Sequence, residues 1–83
     1  SPTHRPVTGR NPATPFAATL LNLSISGCKA RSSRLKVHPG WTIVLDLSER
    51  TSAAGEVVWV ADELFAVKFH RPIDHRTVAE LAA

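Results

Sequence analysis

Two stretches of this chain alternate apolar and polar residues with a period of two. In "WTIVLDL" Trp41, Ile43, Leu45 and Leu47 fall on one side, and in "LFAVKFH" Phe65, Val67 and Phe69 face one way while Lys68 and His70 face the other. Successive side chains of an extended chain point to opposite faces, so this spacing fits a strand with one buried face and does not fit a helix. A strand buried on one face needs antiparallel neighbours and a second layer to cover it. The turn signals agree: "PG" at 39 and 40 precedes the first stretch, and "DE" at 62 and 63 joins "EVVWVA" to "LFAVKFH" in the manner of a tight hairpin.

The remaining segments fill in the same pattern. Phe16 to Leu23 reads as a strand with Leu21, Leu23 and Ile25 on one face. "CKARSSRLKVH" reads as a strand, a polar bend and a short strand in which Leu35 and Val37 face the same way, and "SERTSAAG" as a polar connection. After Pro72 the period changes. Asp74 is a helix N-cap, with Val78 and Leu81 three apart on one helical face. Residues 1–15 hold four prolines and a glycine without apolar periodicity, and are expected to form a flexible N-terminal arm ahead of a domain spanning 16–83. The sum is an all-β fold with a short C-terminal helix. It has five or six antiparallel strands in a small barrel or sandwich, the helix packing on the sheet or plugging one end.

Several function classes fall away on composition. Eighty-three residues make one small domain with one core. The longest apolar runs, "FAATLL" and "VVWVA", are far short of the ~20 residues that cross a bilayer, so no membrane insertion is expected. Cys28 is the sole cysteine, which excludes an intrachain disulfide and fits a reducing, cytoplasmic setting. His4, His38, His70 and His75 are scattered without metal-ligand spacing, and there is no phosphate loop or dinucleotide fingerprint. Cys28 has only Lys29 as a charged neighbour and reads as a packing residue. The expectation is a protein that is not an enzyme and carries no metal or cofactor. Trp41, sharing a face with Ile43 and Leu45, is expected in the core.

One constellation remains. Asn22 and Ser24 place uncharged donors and acceptors on one face of a strand that ends at Gly27, which lets backbone approach a ligand or simply makes a turn. Upstream, Arg5 and Arg10 could clamp phosphate. These are the parts of a nucleotide-phosphate site on a barrel's outer surface. A rival reading uses Lys29, Arg31, Arg34 and Lys36 to bind single-stranded nucleic acid. That segment has no aromatic residue to stack on bases, and the net charge of +3 is small, so nucleic acid is disfavoured.

The pattern "NLSISG" resembles the (Asp/Asn)-x-Ser-x-x-Gly signature of PilZ domains, and "PGWTIVLDL", "GEVVWV" and "FAVKFHRPI" follow it in the family's order, so that the resemblance covers about residues 16–83. It implies a six-stranded antiparallel β-barrel with a C-terminal helix. It also implies a receptor for the bacterial second messenger cyclic di-GMP that changes conformation and interaction surface on binding, and acts on a protein effector of motility, secretion or polysaccharide production. The resemblance assigns Asn22, Ser24 and Gly27 to a guanine. A second family motif, Arg-x-x-x-Arg, would assign Arg5 and Arg10 to phosphates and guanine edges, although here they stand five apart, 11 residues separate Arg10 from Asn22, and Ala66 replaces a frequent glycine. The alternative is a PilZ-like protein-interaction domain that does not bind the messenger.

Overall fold

The structure is a computed structural model and describes residues 2–11, 14–33 and 37–82. Its strands are β1 (Pro2–Asn11), β2 (Thr14–Leu23), β3 (Gly27–Arg31), β4 (Thr42–Asp46), β5 (Ser52–Ala61) and β6 (Leu64–Phe69), followed by helix α1 (His75–Leu81). They close into an antiparallel barrel in the order β1-β2-β3-β6-β5-β4, with β4 returning to β1. Closure leaves no open sheet edge, which is how so small an all-β chain avoids pairing with its neighbours.

The period-two patterns supply the core. Ile43, Leu45 and Leu47 from the first stretch and Phe65, Val67 and Phe69 from the second point inward and are buried, together with Leu20, Leu23, Ala30 and Val57. Val78 and Leu81 of α1 join the same cluster, so the helix packs against the barrel's own core. Asp74 caps it, its side chain accepting from the Arg76 amide at 2.8 Å. The Thr3 hydroxyl donates to the Leu81 carbonyl, fixing the end of α1 beside the start of β1. The Asp62-Glu63 turn joins β5 to β6 as the sequence indicates, with Asp62 at φ 55°, a conformation that Asp tolerates better than most residues.

Four local expectations change. Residues 2–11 form a barrel strand rather than an irregular arm. Only Val7 and Gly9 are fully buried there, and the other positions of that face, Thr3, Arg5 and Asn11, are polar, so no apolar alternation registers. Pro6 is accommodated because β4 pairs with β1 only at Thr8–Arg10, so no bond is asked of a missing N–H on that side. In β2 the buried leucines are Leu20 and Leu23, with Leu21 and Ile25 half-buried. A bulge between Leu20 and Asn22 inserts Leu21 and resets the phase of the strand. Trp41 is 42% exposed because β4 begins after it, at Thr42. Gly40, at φ 93°, turns the chain, and the indole meets the His38 ring edge-on at 4.7 Å. The polar connection before β5 stops at Thr51, so that "SAAG" belongs to the strand. Of the short strand read around Leu35 and Val37, residues 34–36 lie outside the described residues; Val37 is buried but in no strand.

Candidate functional site: the turn between β2 and β3

The segment Ser24–Gly27 forms the turn between β2 and β3 and is tied from three directions. The Ser24 amide donates to the Gly27 carbonyl at 2.9 Å. The Ser24 hydroxyl oxygen accepts from the Ser26 and Gly27 amides at 3.3 and 3.2 Å and can donate to the Gly27 carbonyl at 3.2 Å. Serine is suited to this because its short side chain reaches its own turn. From the other side the Phe69 amide donates to the Ser26 carbonyl and the Ile73 amide to the Ile25 carbonyl, both at 2.8 Å. The turn is therefore stitched to the segment that leads into α1.

Gly27 is required by space. A Cβ placed there would overlap the carbonyl oxygen of Val67 on β6, a backbone atom that cannot swing aside. Asn22, Ser24, Gly27, Cys28 and Lys29 line a cleft of about 330 Å³. That lies near the lower end of the ~300–1,000 Å³ usual for small-molecule pockets, room for a base edge rather than a whole dinucleotide. Cys28 contributes no nucleophile: burial pushes its thiol up to about 12, leaving it protonated at neutral pH.

Strand register extends the site beyond the cleft. Asn22 pairs with Lys29, Lys29 with Ala66, and Ala66 with Trp59, giving one row across the outer face of β2, β3, β6 and β5. At ~4.8 Å per strand the row spans roughly 14 Å. Trp59 is 40% exposed. Ala66 lies between the buried Phe65 and Val67, so its cross-strand partner Trp59 is on the outside. Periodicity from Val57 does place Trp59 on the inner face. A bulge between Val57 and Trp59 turns both Val58 and Trp59 outward, and no local residue type announces it.

Asn22, Ser24 and Gly27 are thus brought together, but Arg5 and Arg10 are not brought to them. Arg10 pairs with Pro15 near the far end of β2, seven residues from Asn22, roughly 23 Å along a strand. Its guanidinium forms an ion pair with Asp46 at 3.0 Å, and Asp46 also accepts from the Ser52 hydroxyl at 2.7 Å. Arg5 pairs with Leu20 but directs its Nε to the Leu47 carbonyl at 3.0 Å, on the side of β1 facing β4 and away from β3. These arginines could close over the motif only from a free arm; a strand cannot fold over its own barrel. Of the basic run, Lys29 and Arg31 lie on β3, while Arg34 and Lys36 fall outside the described residues.

No group of three or more His, Cys, Asp or Glu that could hold a metal lies among the described residues. Nor, among them, is there a helix long and apolar enough to cross a membrane. The fold and site together are a closed six-stranded antiparallel barrel with a polar, glycine-containing turn and an aromatic on its outer face. The PilZ domain family model matches residues 1–83, and the chain belongs to that family. The match takes in β1, in agreement with the strand's place in the barrel. No curated protein and no solved structure matches the chain.

Proposed function

We propose that this PilZ domain is a cytoplasmic bacterial receptor for cyclic di-GMP, with one guanine held at the cleft of Asn22, Ser24 and Gly27. The observation that carries the reading is the turn itself. Its backbone is locked before any ligand arrives, so little ordering cost falls on binding. Asn22 supplies an amide that can donate and accept toward a guanine edge, Gly27 lets β3 lie against β6 beside the cleft, and Ser24 holds the turn in shape. Trp59 offers a π-face to the rest of the ligand. Arg5 and Arg10 serve the barrel instead, through Leu47 and Asp46.

Occupancy reaches a protein effector of motility, secretion or polysaccharide production by way of the hydrogen bonds from Phe69 and Ile73 to the turn, since Ile73 precedes the cap of α1. Calorimetric titration with cyclic di-GMP tests the binding. Saturable heat that Asn22→Ala weakens by about tenfold or more is expected, and an absence of heat at ~100 μM ligand would rule the receptor reading out.

The position of the two arginines favours a second reading, an interaction domain that works without the messenger. It predicts silent titrations together with an effector complex indifferent to Asn22→Ala.

A further inference from the structure

The two ends of the barrel differ. Helix α1 closes the end at the start of β1, where the Thr3 hydroxyl donates to the Leu81 carbonyl and the Ile73 amide to the Ile25 carbonyl. At the other end, among the described residues, no helix takes that place, and the inward-facing rows of three strands run out into a cavity of about 530 Å³. Val7 and Gly9 of β1 are followed in phase by Asn11, and Ala18 of β2 is preceded by Phe16. Ile43 and Leu45 of β4 are preceded by Trp41, whose carbonyl accepts from the amide of the buried Val57 at 2.9 Å. Asn11, Phe16 and Trp41 all line the cavity. Trp41 thus keeps the inward phase of its row and is exposed where the barrel opens.

The aromatic walls are positioned by the barrel itself. The Phe16 ring lies over Gly9, where a Cβ would overlap it, and meets Phe65 edge-on at 6.2 Å. Pro15 and the buried Val37 add apolar surface, Thr14 and Ser33 bring hydroxyls, and no described lining residue carries a charge. The volume falls within the ~300–1,000 Å³ usual for small-molecule pockets, and the mouths of barrels are among the places where such pockets form. We infer that the open end of this barrel is a second binding site, for an uncharged, flat aromatic molecule held against Phe16 and Trp41. A ring gains contact with two aromatic side chains there, whereas an ion would lose its hydration without a described lining group to pair with. Phe16 stands six residues from Asn22 on β2, roughly 20 Å along the strand, so the site is separate from the β2–β3 turn and does not depend on the receptor reading.

The probe is 2-naphthol, with 2-naphthoate as its charged counterpart, each titrated into the isotopically labelled protein while amide and indole N–H resonances are followed. Expected are saturable shifts at Thr14, Phe16, Ala17 and the Trp41 indole below about 1 mM 2-naphthol, with the Ser24 to Gly27 amides unmoved. The naphthoate should bind about tenfold more weakly or worse. Trp41→Ala removes one aromatic wall and should weaken 2-naphthol about tenfold. Ser33→Phe, at an exposed position on the rim, should abolish binding by filling the cavity, and Trp59→Ala should bind as the wild type does. Thermal melts establish that each variant is folded. The assignment is overturned by an absence of saturable shifts at about 1 mM 2-naphthol, by shifts centred on Trp59, by naphthoate binding as tightly, or by undiminished binding to folded Trp41→Ala and Ser33→Phe. Any of these leaves the cyclic di-GMP titration, and the receptor reading with it, untouched.

Discussion

Gly27→Ala is the substitution whose cost the structure fixes most directly. The added methyl would overlap the Val67 carbonyl oxygen, and that oxygen belongs to the ladder pairing Gly27–Arg31 with Leu64–Lys68. A flexible side chain could move away; a ladder carbonyl moves only if β3 or β6 moves with it. Overpacking typically costs 1–3 kcal/mol, and a backbone obstacle places this case in the upper half, about 2–3 kcal/mol. For a domain this size that is roughly 8–24 °C in Tm. Gly40→Ala is the control for glycine chemistry without crowding. Gly40 sits at φ 93° with nothing within 4 Å of where an added methyl would lie, so only the left-handed conformation is penalised, about 1–2 kcal/mol. Thermal unfolding of both variants by circular dichroism gives the comparison. Gly27→Ala melting within about 2 °C of wild type, or above Gly40→Ala, would refute the steric account. The result also bears on function, because lost binding in a destabilised Gly27→Ala protein does not report a ligand contact.

Other outcomes follow from single contacts. Ser24→Ala removes the hydroxyl that accepts from two turn amides and should cost about 0.5–1.5 kcal/mol in urea unfolding. Ser24→Thr should recover most of that loss. Arg10→Ala breaks an exposed ion pair and should change stability by less than about 1 kcal/mol. For Cys28 the folded thiol is pushed up to about 12 by burial, against an ordinary 9.0. Both states are protonated below pH 9. Above it the unfolded thiol ionises while the folded one keeps its proton, so this contribution to stability declines as pH rises toward 12. The wild type should lose about 1.4 kcal/mol at about pH 10 relative to Cys28→Ala, measured by urea unfolding of both proteins across this range.

The strands with clean alternation, β4 and β6, were legible in the sequence because one face is apolar throughout. The β5–β6 hairpin and the Asp74 cap were legible because turn and cap chemistry is local. What stayed hidden depended on long-range pairing. Pro2–Asn11 has two fully buried positions, and its strand conformation is imposed by β2 and β4. The bulges at Leu21 and Val58 reverse side-chain phase without a residue that marks them, which concealed both the burial of Leu20 and the exposure of Trp59. The candidate site divides the same way. Asn22, Ser24 and Gly27 are close in sequence and come together in the turn, whereas Trp59 joins Lys29 only through strand register. Proximity in sequence misled in the case of Arg10, which the β1–β2 pairing carries toward the opposite end of the barrel.

The central claim is that a guanine dinucleotide lies from the β2–β3 turn across the wall to Trp59. A titration of the isotopically labelled protein with cyclic di-GMP, followed by amide and indole N–H resonances, tests it most directly. The account predicts saturable shifts at Asn22 to Lys29 and at the Trp59 indole, with the amide of Arg10 unmoved. Shifts centred on Arg5 and Arg10, or none at ~100 μM ligand, would contradict it.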